Sequence, residues 1–350
     1  MPVSLQDLII DGTLENADLR NVSLAGADLS GLRLRAVNLQ GADLSGVNLN
    51  EADLQDCILT KANLSGASML GTSLSNCTLE NAELSKANLM TATLSHCVLT
   101  GVQAVTTNWA ATTLQTCSLQ NANLQGGNFE CCKLANCSLN ETELRDAQLV
   151  RLIVVSSNLK TTRFSNNDLS QAMFSETDLA GQSFPGCNLT LTLFAGATLD
   201  GADFGGMALS QTIFAEASLK GANFANVQAK SVNWAMADLT EARFSGALIE
   251  MCDFSLAKLV RVDASNVQSS YSPMIKADAS QSVWNNASIK FCDMSHAKLD
   301  NASLRNASLY LCNLHAVSEE GALWAGAELS EVNRTDPELQ KAENWKAKTN

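Results

Sequence analysis

The residues best suited to catalysis or metal binding are the three histidines, His96, His296 and His315. Imidazole normally titrates near neutral pH and is the commonest metal ligand among side chains. His96 and His296 stand far apart in the chain, and no nucleophile elbow or other catalytic motif accompanies His315. We interpret all three as exposed structural histidines and predict neither a catalytic nor a metal site.

The eleven cysteines are the second candidate group, because thiolates bind metals and form disulfides. Ten of them stand where this sequence usually places alanine, and five of these are spaced by 20 residues. These five are Cys57, Cys77, Cys97, Cys117 and Cys137. Cysteine at such positions acts as a small buried hydrophobe. We predict free, buried thiols, with Cys131 alone in an outward position.

Other enzymatic motifs find no match in the sequence. Gly126, Gly205 and Gly206 are read as turn residues, where glycine eases the backbone geometry, rather than as a phosphate loop. Aspartate and glutamate are distributed along the chain instead of being paired, and we expect no concave pocket. We predict a protein that is not an enzyme, with no cofactor and no small-molecule substrate.

These residues belong to a five-residue repeat. Leucine recurs at Leu39, Leu44, Leu49, Leu54, Leu59 and Leu64, with a small residue two positions earlier and often Asp or Asn one position earlier. The frame continues from residue 9 to residue 329 without insertion or deletion. Its central position is large and apolar except at Ala104, Ala229, Ala264, Ser269, Ala279 and Glu319. A fixed period implies stacked units that share one core.

A period of five fits neither an amphipathic helix nor an alternating strand. It favours a coil with sides one unit long, whose central and small residues point inward. The segments Ala42-Asp43-Leu44, Ala62-Asn63-Leu64, Ala122-Asn123-Leu124 and Ala302-Ser303-Leu304 resemble the pentapeptide-repeat family. The resemblance implies an all-β fold, a right-handed quadrilateral parallel β-helix with 20 residues per coil. The chain would then hold about 16 coils at the usual strand spacing.

The repeat frame also sets the domain boundaries. We predict an N-terminal cap at residues 1–8, one repeat domain at 9–334, and a C-terminal helix and tail at 335–350. Thr335-Asp336-Pro337 is typical of a helix start, and a short helix there would cap the last coil. Phenylalanine alternates with leucine from Phe164 to Phe254, which predicts stacked aromatic ladders in the core. Weak repeats around Ser272-Pro273 predict a local bulge or bend.

Composition limits the possible partners. The formal net charge is −13, with 36 acidic and 23 basic residues, which argues against direct nucleic-acid binding through phosphates. No apolar run approaches the roughly 20 residues that span a bilayer. The first ten residues lack the features of a signal peptide. We predict no membrane span and a cytoplasmic location, with export lacking a cleavable signal as the open alternative.

Two sets of apolar residues at outward positions are the candidate binding surfaces. The first apolar row is Ile153, Met173, Leu193 and Ile213, spaced by 20 residues, with Leu152 and Val155 beside it. It predicts an interface with a protein partner or a second copy; the alternative is an incidental hydrophobic stripe. The second apolar row is Met251, Tyr271, Phe291 and Leu311, with Tyr310 beside it. It is either a binding surface or the place where the C-terminal helix folds back.

Two functions follow from the resemblance. The family is commonly non-enzymatic, which implies a rigid protein–protein interaction scaffold; some members are bacterial secretion-system effectors or accessory proteins. The alternative is an acidic DNA mimic that binds a type II topoisomerase (gyrase), as in members that confer quinolone resistance. Acidity agrees with mimicry, but the acidic residues form no dense stripe in the sequence.

Overall fold

The computed structural model describes residues 9–343 and 345 of the chain. They form a parallel β-solenoid of about 16 turns followed by one short helix. The fold predicted from the repeat is therefore confirmed, while the predicted cap at residues 1–8 lies outside the described residues. The chain divides into two compact units. The N-terminal unit comprises the chain up to Leu179 together with the segment Phe184–Thr192. The C-terminal unit comprises the segment Ala180–Ser183 together with the chain from Leu193 onward.

The N-terminal unit contains one parallel sheet of nine three-residue strands in sequential order. The strands are β1 (Thr13–Glu15), β2 (Arg33–Arg35), β3 (Asp53–Gln55), β4 (Ser73–Ser75), β5 (Thr93–Ser95), β6 (Thr113–Gln115), β7 (Lys133–Ala135), β8 (Ile153–Val155) and β9 (Met173–Ser175). Leu34 pairs with Leu54, and Leu54 with Leu74, so each coil uses 20 residues.

The C-terminal unit contains a parallel sheet of seven strands, also in sequential order. They are β10 (Ala208–Ser210), β11 (Gln228–Lys230), β12 (Leu248–Glu250), β13 (Gln268–Ser270), β14 (Ser288–Lys290), β15 (Ser308–Tyr310) and β16 (Glu328–Ser330). Helix α1 (Pro337–Glu343) follows. The 20-residue register holds here too, since Ile249 pairs with Ser269 and Ser269 with Ile289.

Each pentapeptide forms a short extended segment and a turn. The Leu44 amide donates to the Asn63 carbonyl of the next coil at 2.7 Å, and the Ala42 amide closes a turn onto the Leu39 carbonyl at 3.0 Å. The residue two after the centre usually has a positive φ, as at Asn76 (54°) and Gly46 (62°). Glycine and asparagine tolerate this conformation best. The centre and the small residue before it are buried, as the repeat predicts.

The aromatic core of the C-terminal unit consists of two stacked ladders. One comprises Phe194, Phe214, Trp234 and Phe254, and the other Phe204, Phe224 and Phe244. Neighbouring rings within a ladder lie 4.7–5.9 Å apart and nearly parallel, and rings of opposite ladders meet edge to face. Both geometries are favourable for aromatic pairs. The alternating phenylalanines are therefore core residues.

Several polar residues at the small inward position donate to the central-residue carbonyl of the preceding coil. The Thr72 hydroxyl donates to the Leu49 carbonyl, and the Thr112 hydroxyl to the Leu89 carbonyl, each at 2.7 Å and 23 residues earlier. The Cys77 thiol faces the Leu54 carbonyl in the same way. A buried hydroxyl or thiol here is thus satisfied without disturbing the coil. All eleven cysteines are free thiols, and Cys131 is exposed.

The bulge or bend expected around Ser272-Pro273 is not found. Strand β13 keeps its register with both neighbours. The Pro273 carbonyl still accepts a hydrogen bond from the Phe254 amide at 2.8 Å. Proline therefore removes one donor from the ladder but leaves the acceptor in place. The repeat tolerates this loss because neighbouring units hold the register.

Helix α1 confirms the predicted C-terminal helix, but it does not cover the apolar end of the solenoid. None of its seven residues is buried. Leu323 and Leu329 in the last coil remain 45% and 39% exposed. The Asp336 carboxylate caps the helix by accepting from the amides of Glu338 and Leu339.

Candidate protein-binding surface

Ile153 and Met173 of the first apolar row belong to the N-terminal unit, and Leu193 and Ile213 belong to the C-terminal unit. In the N-terminal unit, Ile153 pairs with Met173 across strands β8 and β9. Met173 is exposed, while Ile153 and Val155 are half-buried. Leu152 was predicted to lie beside them on the surface, and this prediction is wrong. Leu152 occupies the small inward position and is fully buried in the core, so it is no surface residue.

In the C-terminal unit, Leu193 forms a parallel bridge with Ile213. Both side chains are half-buried. Each pair therefore stands in register within its own unit at outward positions. Their role in binding stays a prediction.

The second apolar row lies wholly within the C-terminal unit and is more exposed. Met251, Tyr271, Phe291 and Leu311 are 47%, 56%, 39% and 40% exposed. The rings of Tyr271 and Phe291 stack at 4.7 Å with an interplanar angle of 4°. Tyr310 meets Phe291 edge to face at 5.5 Å. The result is a continuous aromatic surface in contact with solvent.

The backbone under the second apolar row is left-handed. Met251, Tyr271, Phe291 and Leu311 have φ values of 54°, 52°, 56° and 51°. Large side chains rarely adopt this conformation, which costs roughly 1–2 kcal/mol relative to the right-handed one. Four consecutive coils therefore carry large apolar residues where glycine or asparagine suits the backbone better.

Helix α1 leaves the second apolar row uncovered. The helix and the residues just before it instead bond to His315, His296 and Ala316. The Thr335 hydroxyl accepts from the Ala316 amide at 3.1 Å, and Glu343 lies beside the two histidines. The sequence left two alternatives for this row, a binding surface or a site covered by the C-terminal helix. In the described residues, the helix does not cover the row.

A shallow groove of about 540 Å³ runs along the face formed by β10–β14. Its floor includes Ala229 and Ser269, two of the undersized central residues, and Lys230, Glu250 and Lys290 line one edge. Met251 and Phe291 directly follow Glu250 and Lys290 in the chain, so the groove adjoins the second apolar row. The sequence analysis predicted no concave pocket, and this shallow groove was not anticipated.

The histidines differ from the prediction. His96 is exposed as expected, but His315 is only 5% exposed and His296 is half-buried. The His315 Nε2 atom lies 3.2 Å from a Glu343 carboxylate oxygen, and this contact lowers the pKa of Glu343 below its usual value. The sequence analysis missed Glu343 because only the folded tail brings it to the histidines. The spacing of His296 and His315 by nearly one coil was the available signal.

The carboxylates of the repeat are embedded in hydrogen-bonded ladders. Asp28 accepts from Asn48, and Asp43 from Asn63, one coil later. Side-chain hydrogen bonds from Ser30 and Ser45, followed by backbone bonds from the same residues, hold the pKa values of Asp28 and Asp43 below the usual 3.8. Acidic residues therefore alternate with amides along these ladders instead of forming a continuous anionic row.

These features define a pentapeptide-built β-solenoid with an uncovered apolar row. Models of the family agree with this class. The pentapeptide repeat region model matches residues 72–148 and 127–204, and the pentapeptide repeats (8 copies) model matches residues 12–41, 38–74, 237–268 and 275–306. Together they cover most of the chain. The chain belongs to the pentapeptide-repeat family.

A search of curated proteins found no match. Among solved structures, trypsin-treated QnrB1, a plasmid-mediated fluoroquinolone resistance protein, is 14% identical with a TM-score of 0.41, covering 51% of this chain and 88% of its own. Rfr23 from the cyanobacterium Cyanothece is 26% identical with a TM-score of 0.25, and the match covers 34% of this chain and 95% of Rfr23. HetL from the cyanobacterium Nostoc, involved in heterocyst differentiation regulation, is 20% identical with a TM-score of 0.16. The match covers 90% of this chain and 87% of HetL. These similarities concern the repeat fold alone.

Proposed function

We propose that this protein is a non-enzymatic scaffold that binds a partner protein through the second apolar row. The observation that carries the proposal is the stacked, exposed Tyr271–Phe291 pair on left-handed backbone. Met251 and Leu311 extend this pair by one coil on each side. Isolated exposed apolar residues need no explanation, whereas a contiguous apolar patch often marks an interaction site.

The fold itself gains little from these side chains. Other coils place Asn76, Asn226 or Gly46 at the same position of the pentapeptide. Asparagine or glycine would relieve a left-handed strain of roughly 1–2 kcal/mol at each residue. The stacked pair returns only about 0.5–1.5 kcal/mol for two such residues. Since this gain does not exceed the strain, packing within the chain does not account for the row.

The chemistry of the row suits a protein partner. Tyrosine is enriched among residues that dominate binding energy, and a rigid aromatic pair loses little entropy on binding. Lys230, Glu250 and Lys290 at the edge of the adjoining groove supply charges of both signs for a polar rim. A net charge of −13 disfavours a nucleic acid. Within residues 9–343 and 345, no helix is long and apolar enough to cross a membrane.

A double substitution, Tyr271→Asn with Phe291→Asn, tests the proposal. Because asparagine relieves the left-handed strain at both positions, we expect the unfolding free energy to be equal to or higher than that of wild type. Binding should weaken by at least about tenfold, as for loss of a hot-spot pair. Size-exclusion chromatography with light scattering measures binding to a second copy, and quantitative affinity capture measures binding to other proteins.

The matched control is Leu191→Asn in the N-terminal unit. Leu191 is also large, exposed and left-handed, with a φ of 60°, but it lies outside the row. The control should retain full binding and oligomeric state. Equal binding by wild type, control and double variant would contradict the proposed surface.

A further inference from the structure

We propose that His296, His315 and Glu343 bind one metal cation of the zinc class, which fastens helix α1 to the last coils of the solenoid. This site is independent of the proposed protein-binding function. It uses the imidazole groups that the sequence analysis assigned no role. The site lies at the C-terminal end of the repeat, where the helix needs an attachment.

The three side chains converge on one point. The His315 Nε2 and His296 Nε2 atoms lie 3.2 and 3.5 Å from the same Glu343 carboxylate oxygen. The three candidate ligand atoms all lie within 4.8 Å of one another. The imidazole rings stand 5.5 Å apart and nearly perpendicular. A single ion between them can therefore contact all three groups.

The two nitrogen–oxygen distances fit a tetrahedral cation. Zinc binds histidine nitrogen and carboxylate oxygen at about 2.0–2.2 Å, so neighbouring ligand atoms in a tetrahedron are separated by about 3.3–3.5 Å. The observed nitrogen–oxygen distances of 3.2 and 3.5 Å are of this size. Two histidines and one glutamate leave the fourth position for water. Imidazole and carboxylate together favour zinc over calcium or magnesium, which prefer all-oxygen sites.

The polypeptide already fixes the histidines. The His296 amide donates to the His315 carbonyl at 2.9 Å, and the His315 amide donates to Asn313 at 3.1 Å. The His315 Nδ1 atom accepts from the Asp336 amide at 3.2 Å, so in the neutral ring Nε2 carries the proton. For a cation to bind at Nε2, the ring proton would move to Nδ1, so the Asp336 amide would turn away and the hydrogen bond from Nε2 to Glu343 would be lost. Binding would thus exchange two hydrogen bonds of His315 for coordination of His315 and Glu343 to the metal.

Charge and access also favour a cation. Glu343 and Asp336 line an open recess of about 650 Å³ together with both histidines. Arg334 lines the same recess, but its guanidinium is paired with Glu319 at 2.8 Å. Glu343 therefore keeps its negative charge directed at the histidines. The open recess gives the ion a path from solvent.

The cation would strengthen the attachment of helix α1 to the solenoid. The helix has seven residues, none of them buried, and isolated helices of this length are marginal in water. Its polar contacts to the solenoid include the bond between Glu343 and His315. Metal coordination would cross-link the last residue of the helix to two successive coils.

Isothermal titration of the full chain with zinc chloride tests the site. We expect one zinc per chain in wild type, and at least a tenfold loss of affinity in His296→Asn and in Glu343→Gln. Cobalt substitution identifies the ligands by its visible spectrum, since nitrogen and oxygen ligands lack the thiolate charge-transfer band of cysteine. Zinc should also slow hydrogen exchange in residues 336–343 of wild type, but not of Glu343→Gln.

His96→Asn is the matched control. His96 occupies the same position of the coil as His296 with a φ of 55°, and it is exposed. The control should bind zinc like wild type. Absence of saturable binding, binding unchanged in His296→Asn and Glu343→Gln, or a thiolate band in the cobalt spectrum would each overturn the proposal.

Discussion

Single residues show where the repeat departs from its own rule. The position two after each centre is left-handed in most pentapeptides and is often glycine or asparagine. The second apolar row places Met251, Tyr271, Phe291 and Leu311 there instead. The frequent glycines at this position were visible in the sequence. The backbone conformation that makes the apolar residues costly became clear only in the structure.

Thiol labelling at pH 8 tests the residue-scale description of the core. Cys131 is exposed, so one thiol should react rapidly with Ellman's reagent. Burial raises the pKa of Cys252 and of Cys292 to about 11, so these thiols stay protonated and shielded until the protein unfolds. Cys131→Ser should remove the fast phase and leave the slow one. Rapid reaction of several thiols in the native protein would contradict this assignment.

Elements in this chain depend on stacking more than on local propensity. The five-residue period predicted the coil, its 20-residue register and the aromatic ladders, because each coil repeats the chemistry of the last. The weak repeats around Ser272-Pro273 predicted a local bulge or bend, which the register of β12–β14 overrides. Neighbouring coils supply hydrogen bonds that a local reading of the sequence cannot include. The surface prediction for Leu152 failed for the opposite reason. The repeat frame places Leu152 at the small inward position, and the prediction did not follow that frame.

Truncation of one aromatic ladder tests the core at the element scale. Phe224 is fully buried and stacks on Phe204 and Phe244. Phe224→Ala should lower the unfolding free energy by about 3–5 kcal/mol, while Phe224→Leu should cost less because it leaves a smaller cavity. Urea denaturation measures both. The exposed control Gln228→Ala should stay within about 0.5 kcal/mol of wild type. A loss below about 1 kcal/mol in Phe224→Ala would contradict ladder packing.

Acid unfolding tests the carboxylate–amide ladders. Folding lowers the pKa values of Asp28 and Asp43 from 3.8. Their contribution to stability is therefore complete above pH 3.8 and is lost as the pH falls through the lower folded values. Melting temperatures should be nearly constant from neutral pH to about pH 5 and then decline. Asp43→Asn keeps a side-chain acceptor, as Asn63 does for the Ser65 amide, and should show a shallower decline. An identical acid profile in both proteins would contradict this account.

For the molecule as a whole, family membership follows from the repeat, whereas the partner does not. Stacking the same pentapeptide builds the same coil whatever the protein binds, so function depends on the outward residues that break the pattern. The sequence identified both apolar rows but ranked the more buried one first. The second apolar row is the more exposed of the two in the structure, so it becomes the stronger candidate for a binding surface. The convergence of Glu343 with the histidines depends on the tail and was not predictable from spacing alone.

The DNA-mimic alternative is tested separately. Mimicry of the phosphate backbone requires rows of free negative charge, but Asp43 bonds to Asn63, and Asp238 lies near Lys220 and Lys258. We expect no inhibition and no protection in a gyrase supercoiling assay with added protein. Dose-dependent inhibition of supercoiling, or protection from a quinolone, would favour mimicry over the proposed scaffold.

Site-specific photo-crosslinking tests the central claim most directly. A benzophenone amino acid placed at Phe291 should form a covalent adduct with a protein partner, either a second copy or another chain. The same group at Leu191, which has similar exposure and backbone conformation, should not. Adduct formation at position 291 alone is the result we predict. No adduct at 291, or equal yields at both positions, would contradict binding through the second apolar row.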